Sequence, residues 1–444
     1  MLRSPPHPTA PPGQSGWPVI GEIREWLADP LAFAQERAAR HGPVWRTHLL
    51  GRPCVVLLGP EGNQFMLASG ARHFSWRQGW GRAMLDLMGG GLSLLDGHEH
   101  DERRRIVRPA LGHAALRDQL PAIRRLVTDH CAAWAAAGRL ALFDGLKTLA
   151  FDVALLTVCG PVSPALARRL HADFDAFTAG LFTPLALNLP GTTYGRAKRA
   201  ARRLRRALGE LIRERRSEPL PAPLDALSLM LAPDQGGPPP SDREICSELL
   251  LLLWAGHDTV ASLLTWICYE LARQPELADR ARAEISQAVG DDPAGAEQLR
   301  QLPLLDRIIK EGERVHPPAP GGFRGVCESF EYGGWTIPQG WLAMYSTVYT
   351  HNMPELWREP GRFDPDRYAA PREEGHGVPF SLVGFGGGPR ICIGLALAQM
   401  EMRLVLLELL RGYAWELEDG QSFERVWLPT NQPRDKLLVR LRRR

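Results

Sequence analysis

From Leu249 to Cys268 the chain runs almost wholly apolar for about the length that crosses a bilayer, yet Gly256, His257 and Asp258 sit at its middle. Ionisable groups at that depth are costly in hydrocarbon, so the run reads as the central helix of a large folded core. Its start is signalled twice. Gly236-Gly237-Pro238-Pro239-Pro240 breaks what precedes it, and Ser241 with Glu244 three residues on forms a capping box. One helix is expected over about 241–273, ended by Pro275.

A core of that size fits a chain of 444 residues that is 44% hydrophobic and 23% charged, the usage of a folded enzyme. Fifty-three basic against 50 acidic residues leave a net charge of +3, too balanced for nucleic acid as the main partner. Seven scattered cysteines with no C-x-x-C pair suggest neither a disulfide framework nor a zinc site, and imply a reducing compartment. Residues 1–16 form a Pro-rich, flexible lead without the charged start and apolar core of a signal peptide, so no export is expected and the protein is placed in the cytoplasm.

Around the central run the chain reads as mainly α with a small β region. Glu22 to His41 has helical spacing, and Val44 to Leu58 holds two apolar runs split by Gly51-Arg52-Pro53, a hairpin signal. Apolar residues recur at three and four from Asp96 to Trp134 and from Leu166 to Arg216. Seven Arg or Lys between Arg196 and Arg206 read as a solvated helix face, with peripheral contact to an anionic membrane as the alternative. Helical signal continues to Val315, and Pro317 to Pro365 then carries short strands such as Trp341 to Val348.

The chemistry concentrates in Phe385-Gly-Gly-Gly-Pro-Arg-Ile-Cys-Ile-Gly394, a glycine-rich loop directly before the apolar helix Leu395 to Leu410. Glycines let backbone turn tightly against a flat ligand, and a cysteine ahead of a helix is biased toward thiolate. On those grounds Cys392 is a metal ligand, a nucleophile or a structural thiol. Phe385, Gly388, Cys392 and Gly394 occupy every fixed position of the haem loop Phe-x-x-Gly-x-x-x-Cys-x-Gly, so the chain resembles the cytochrome P450 family. The resemblance implies haem b held through the Cys392 thiolate, with Phe385 over the sulfur side and Ile391 beside it limiting water.

Three further segments resemble the same family in chain order. Ala255-Gly256-His257-Asp258-Thr259 is similar to its oxygen-activation motif, in which Ala255 and Gly256 open the helix beside the iron while Asp258 and Thr259 relay protons. Read without the family, Gly256 is a packing notch and Thr259 a back-bonding side chain. Glu311-Gly-Glu-Arg314, alone a common ion pair, is implied to form a structural triad with Arg367 of Phe363-Asp-Pro-Asp-Arg367. His100 and Arg104, one helical turn apart, resemble the helix that binds the haem propionates, and Arg324 and Arg390 stand where further propionate ligands are placed. Arg103, Arg105 and Arg108 read as solvated side chains. The likeness runs from Pro11 to about Leu441, which implies one integrated P450 domain over 1–444, without the N-terminal membrane helix of the family's anchored members.

The implied activity is a monooxygenase that takes O2 as co-substrate and returns hydroxyl to a C–H carbon of a lipophilic substrate. Electrons must come from another protein, since the chain has no Gly-x-Gly-x-x-Gly and no iron–sulfur cysteine cluster. A ferredoxin with an NAD(P)H-ferredoxin reductase is the expected donor. The apolar, Pro-broken stretch Phe174 to Tyr194 reads either as core helix or as a lid contributing Phe177 and Phe182, with Trp76, Trp80 and Phe323 as further pocket candidates. Segments 180–185, 189–192 and 321–324 resemble the branch of retinoic acid hydroxylases and their cyanobacterial relatives, implying a retinoid or similar isoprenoid. Two other classes stay open: a haem-thiolate isomerase or peroxygenase that needs no electron donor, and a non-catalytic haem gas sensor.

Overall fold

The computed structural model describes residues 10–18, 20–49, 51–183, 186–218, 225–232, 239–290 and 294–444. The expectations for residues 1–9 of the lead, for Pro184 and Leu185, and for Gly236 to Pro238 fall outside them. Mainly helical with small sheets, the chain forms two compact units. The smaller comprises 1–81, 319–362 and 367–392, and the larger comprises 82–318, 363–366 and 393–444.

The smaller unit is built on a five-stranded sheet. Strands Val44–Leu49 and Arg52–Leu57 form the expected hairpin, with Val44 opposite Leu57. Arg52–Leu57 then pairs in parallel with Leu342–Ser346, which pairs antiparallel with Gly321–Val326, and Phe74–Ser75 closes the far edge. Side chains alternate across the sheet with period two. Val55, Leu57, Ala343 and Tyr345 pack with Met66 and Phe74 on one side, and Cys54, Val56, Leu342 and Met344 pack with Trp26, Phe33 and Trp45 on the other. The helical stretch expected over 22–41 is two helices, Ile23–Ala28 and Pro30–His41. The break sits at Asp29, whose carboxylate accepts from the amides of Leu31 and Ala32, with Pro30 at the first helical position.

In the larger unit the apolar run is the helix Asp242–Arg273, and Ser241 caps it in a full capping box with Glu244. Among the described residues it is the one single helix long and apolar enough to cross a bilayer, and 78% of its most apolar stretch is buried within the protein. The helices Leu142–Cys159, Gly97–Val107 and Pro303–Val315 pack against it or near it. Gly312 explains one close approach: a Cβ there would lie 2.6 Å from Ile267 Cγ1. The helices Pro164–Leu181 and Thr193–Ser217 pair with each other, and a three-stranded sheet joins Arg139–Ala141, Leu438–Arg443 and Tyr413–Leu417.

Candidate active site

In the smaller unit the loop before Cys392 is closed by its own backbone. The Cys392 amide donates to Phe385 O at 2.9 Å and the Ile391 amide to Gly388 O at 3.2 Å. Gly388 takes φ 61°, and a Cβ there would meet Leu67 O at 2.2 Å, so glycine is required twice over. Five of the seven cysteines are buried and Cys327 is half-buried, whereas Cys392 is exposed. Burial pushes the thiols of Cys246 and Cys268 up to about 11 and about 12. Those thiols stay protonated, whereas Cys392 presents its sulfur at the surface. Phe385 is half-buried and Ile391 is 39% exposed.

Two arginines converge on one indole in the same unit. The Arg324 guanidinium lies 3.2 Å from the centroid of the Trp76 ring, and Arg390 lies 5.1 Å from it. Arg324 is buried on strand Gly321–Val326, and its Nη1 donates to Phe323 O at 2.6 Å. Phe323 packs edge-on to Trp26 at 5.3 Å. Trp80 is half-buried just after the turn Arg77–Gly79.

In the larger unit, adjacent residues of the long helix meet different surroundings. Ala255 and Thr259 are exposed on one face, and the Thr259 hydroxyl donates to Ala255 O at 2.9 Å. Asp258 is buried on another face, where Lys147 Nζ approaches its Oδ1 at 3.2 Å. Lys147 also holds the exposed carboxylate of Asp175 at 2.9 Å, so one ammonium spans from a buried acid to a solvent-facing one. Burial works against the lysine's charge, but Asp258 and Asp175 outweigh it and hold its pKa above the ordinary range. His257 is buried between Phe151 and Phe174, and burial lowers its pKa against the pull of Asp258. Its Nδ1 donates to Leu253 O at 2.8 Å. Gly256 sits against Ala154, where a Cβ would make a 3.1 Å contact. Phe177 is fully buried beside Phe174, and Phe182 is half-buried with its ring 6.1 Å from Trp254.

On the helix Gly97–Val107, His100 is buried and its Nδ1 lies 2.9 Å from the Asp101 carboxylate, while Arg104 is half-buried. The solvated reading of Arg103 is corrected. It is buried, with Nη1 3.4 Å from Glu248 and Nη2 3.2 Å from Glu244, because its helix position turns it onto the long helix. Arg105 and Arg108 are exposed as expected. Glu311 and Arg314 are both fully buried and joined by two bonds, Nε to Oε2 at 2.9 Å and Nη2 to Oε1 at 2.7 Å. The Asp364 amide donates to Glu311 Oε1 at 3.0 Å. In the smaller unit Arg367 is buried, with Nη1 on Glu374 at 2.5 Å and on Arg358 O at 2.8 Å. Gly394 caps the helix Leu395–Gly412.

The family model described as Cytochrome P450 matches residues 11–438. The chain belongs to the cytochrome P450 family. It is 33% identical to a putative cytochrome P450 120 of Synechocystis, over 97% of this chain and 96% of that one. It is 32% identical to an abscisic acid 8'-hydroxylase 3 of Oryza sativa subsp. indica (97% and 86% covered) and 31% identical to cytochrome P450 26A1 of Gallus gallus (92% and 86%). The solved structure of a retinoic acid bound cyanobacterial CYP120A1 superposes with a TM-score of 0.91 at 32% identity, covering 98% of this chain and 99% of that one.

This P450 is therefore a monooxygenase that uses haem b and O2, and its family takes lipophilic substrates and electrons from redox partners. The donors present fit the haem: an exposed thiol suits iron, and guanidinium groups at 324 and 390 suit propionates. Sequence reasoning passed over Lys147, Asp175, Glu248 and Glu374. Lys147 did carry a signal, as the only Lys or Arg in the largely apolar helix Leu142–Cys159.

Proposed function

We propose that this P450 hydroxylates a retinoid or a similar long isoprenoid. The observation that carries the reading is the end-to-end likeness to a retinoic acid bound P450, and the chain's likeness to an abscisic acid hydroxylase points to the same chemical class. When bound, the haem supplies the iron at which O2 is activated. Cys392 holds that iron from its closed loop, with Phe385 and Ile391 shielding the sulfur. His100, Arg104, Arg324 and Arg390 grip the propionates, and the buried residues Glu311, Arg314 and Arg367 keep the fold behind the haem rigid.

Proton delivery falls to two neighbouring side chains of the long helix. Thr259 Oγ1, on the exposed face, holds a proton that it now shares with Ala255 O and would turn toward the co-substrate. Asp258 passes protons on from the solvent side, where Lys147 holds its carboxylate in place. Ala255, on that exposed face, leaves room for O2 while Gly256 lets the helix close onto Ala154, and Trp76, Trp80, Phe177, Phe182 and Phe323 contribute apolar surface toward the substrate. The electron donor is a ferredoxin with its NAD(P)H-dependent reductase, and the enzyme works in the cytoplasm as one integrated domain over 1–444.

A binding panel tests the substrate. Retinoic acid is expected to shift the Soret band of the holoenzyme and to give a hydroxylated product with NAD(P)H, ferredoxin and its reductase. Retinoids that leave the spectrum unchanged, while fatty acids or sterols shift it, overturn the proposal.

A further inference from the structure

The Arg103 and Glu248 pair stands outside everything assigned above. Glu248 is fully buried in the second turn of the long helix, and its Oε2 accepts from the Leu92 amide at 3.0 Å as well as facing Arg103 Nη1 at 3.4 Å. Glu248 Oε1 is buried without a hydrogen-bond partner. Glu244, one turn earlier, shares its carboxylate between Ser241 at the cap and Arg103. Arg103 is thus pinned to two turns of one rigid helix. On its own helix each residue is rotated by about 100° from the last, so pinning Arg103 dictates where its neighbours point. Those neighbours include His100 and Arg104.

Resting on the assignment of His100 and Arg104 to the haem propionates, we propose that Arg103 is a positioning residue: clamped by Glu248 and Glu244, it fixes the rotation of helix Gly97–Val107 and so aims both propionate ligands. Burial pushes the Glu248 carboxyl up to about 7, against the pull of Arg103 and the Leu92 amide. The clamp is accordingly stronger above neutrality, where Glu248 is ionised, and weaker below. The charge that bears on Glu248 is that of Arg103 from helix Gly97–Val107, which Glu244, one turn earlier on the long helix, shares.

The test is haem release from the holoenzyme into excess apomyoglobin, followed at the Soret band. Loss of a residue that orients a cofactor ligand typically costs about 10–100-fold, so Arg103→Gln should release haem faster by that order and Arg103→Lys should recover most of the hold. Ile106→Val, which loosens the same helix without touching the clamp, is the control for simple destabilisation. Wild-type release should quicken from pH 8 to pH 6, and Glu248→Gln should flatten that step; Glu248→Gln also carries the test if Arg103→Gln fails to fold. Wild-type release rates in both variants, or an equal acceleration in Ile106→Val at matched thermal stability, overturn the proposal. Wild-type release rates in His100→Ala and Arg104→Ala instead sink the assignment on which it rests.

Discussion

Residues 258 and 259 are neighbours in sequence and strangers in space. The Asp258 side chain is 3% exposed and ion-paired to Lys147, whereas Thr259 is exposed and bonded back to its own helix at Ala255 O. A helix rotates about 100° per residue, so consecutive positions cannot share a face. An acid and an alcohol written side by side therefore sample two environments, one closed and charged, the other open. The motif supplies both groups, and the packing of helices Leu142–Cys159 and Pro164–Leu181 decides what each can do.

Breaking the closed side at its acid should have the largest effect. Asp258→Asn removes a proton donor and leaves the Lys147 charge half-answered, and losses of about 10²–10⁴ in turnover are typical for general acid–base groups. Product formation under saturating reductase measures it, and near-native turnover would remove Asp258 from the proton path. On the open side, Thr259→Ala should leave haem and substrate spectra intact while most consumed electrons emerge as hydrogen peroxide. Assay of peroxide per NAD(P)H decides it, and unchanged coupling dissociates the alcohol from the relay.

Lys147→Met tests whether the closed face is held by charge. Removing one partner of a buried pair commonly costs about 3–5 kcal/mol, and the 22% exposure of the Lys147 side chain should place this near the low end. Thermal unfolding of the holoenzyme reads it, together with a shift in the pH profile of turnover that a purely structural lysine would not cause.

A smaller, pH-dependent effect belongs to another buried site farther along the helix. His316 stacks on Trp266 at 4.8 Å, and its Nε2 lies 2.9 Å from Glu270 Oε1. Burial, against the pull of Glu270, drives its pKa down to about 4 from an unfolded value near 6.5. The unfolded chain binds the extra proton between those values, so this contribution to stability is complete above pH 6.5 and is lost as pH falls toward 4. Urea melts across that window should show the loss, and His316→Gln should remove part of it. Asp175→Asn, at the exposed end of the lysine bridge, should change stability least, within about 0.5 kcal/mol.

Much of the fold was legible because its signals are local. The capping box at Ser241, the hairpin about residues 51–53 and the cysteine loop all appear where local rules put them. The expected helix over 22–41 missed only the aspartate cap at Asp29, a break that the Asp29-Pro30 pair could have signalled. The reading of Arg103 failed for a different reason. Three arginines in a row look alike in sequence, and only the rotation of their helix separates the buried one from the exposed Arg105.

The sequence by itself pointed to the family and its haem chemistry and supplied the candidate residues for it, because motif spacing and residue type are properties of the chain. Tertiary structure alone decided that Lys147 pairs with Asp258, that Arg324 lies against Trp76, and that Arg103 faces Glu248. Each of these joins positions far apart in sequence. No local rule specifies which distant charges will share a buried space, and burial is what turns such a pairing from a weak surface contact into an orienting force.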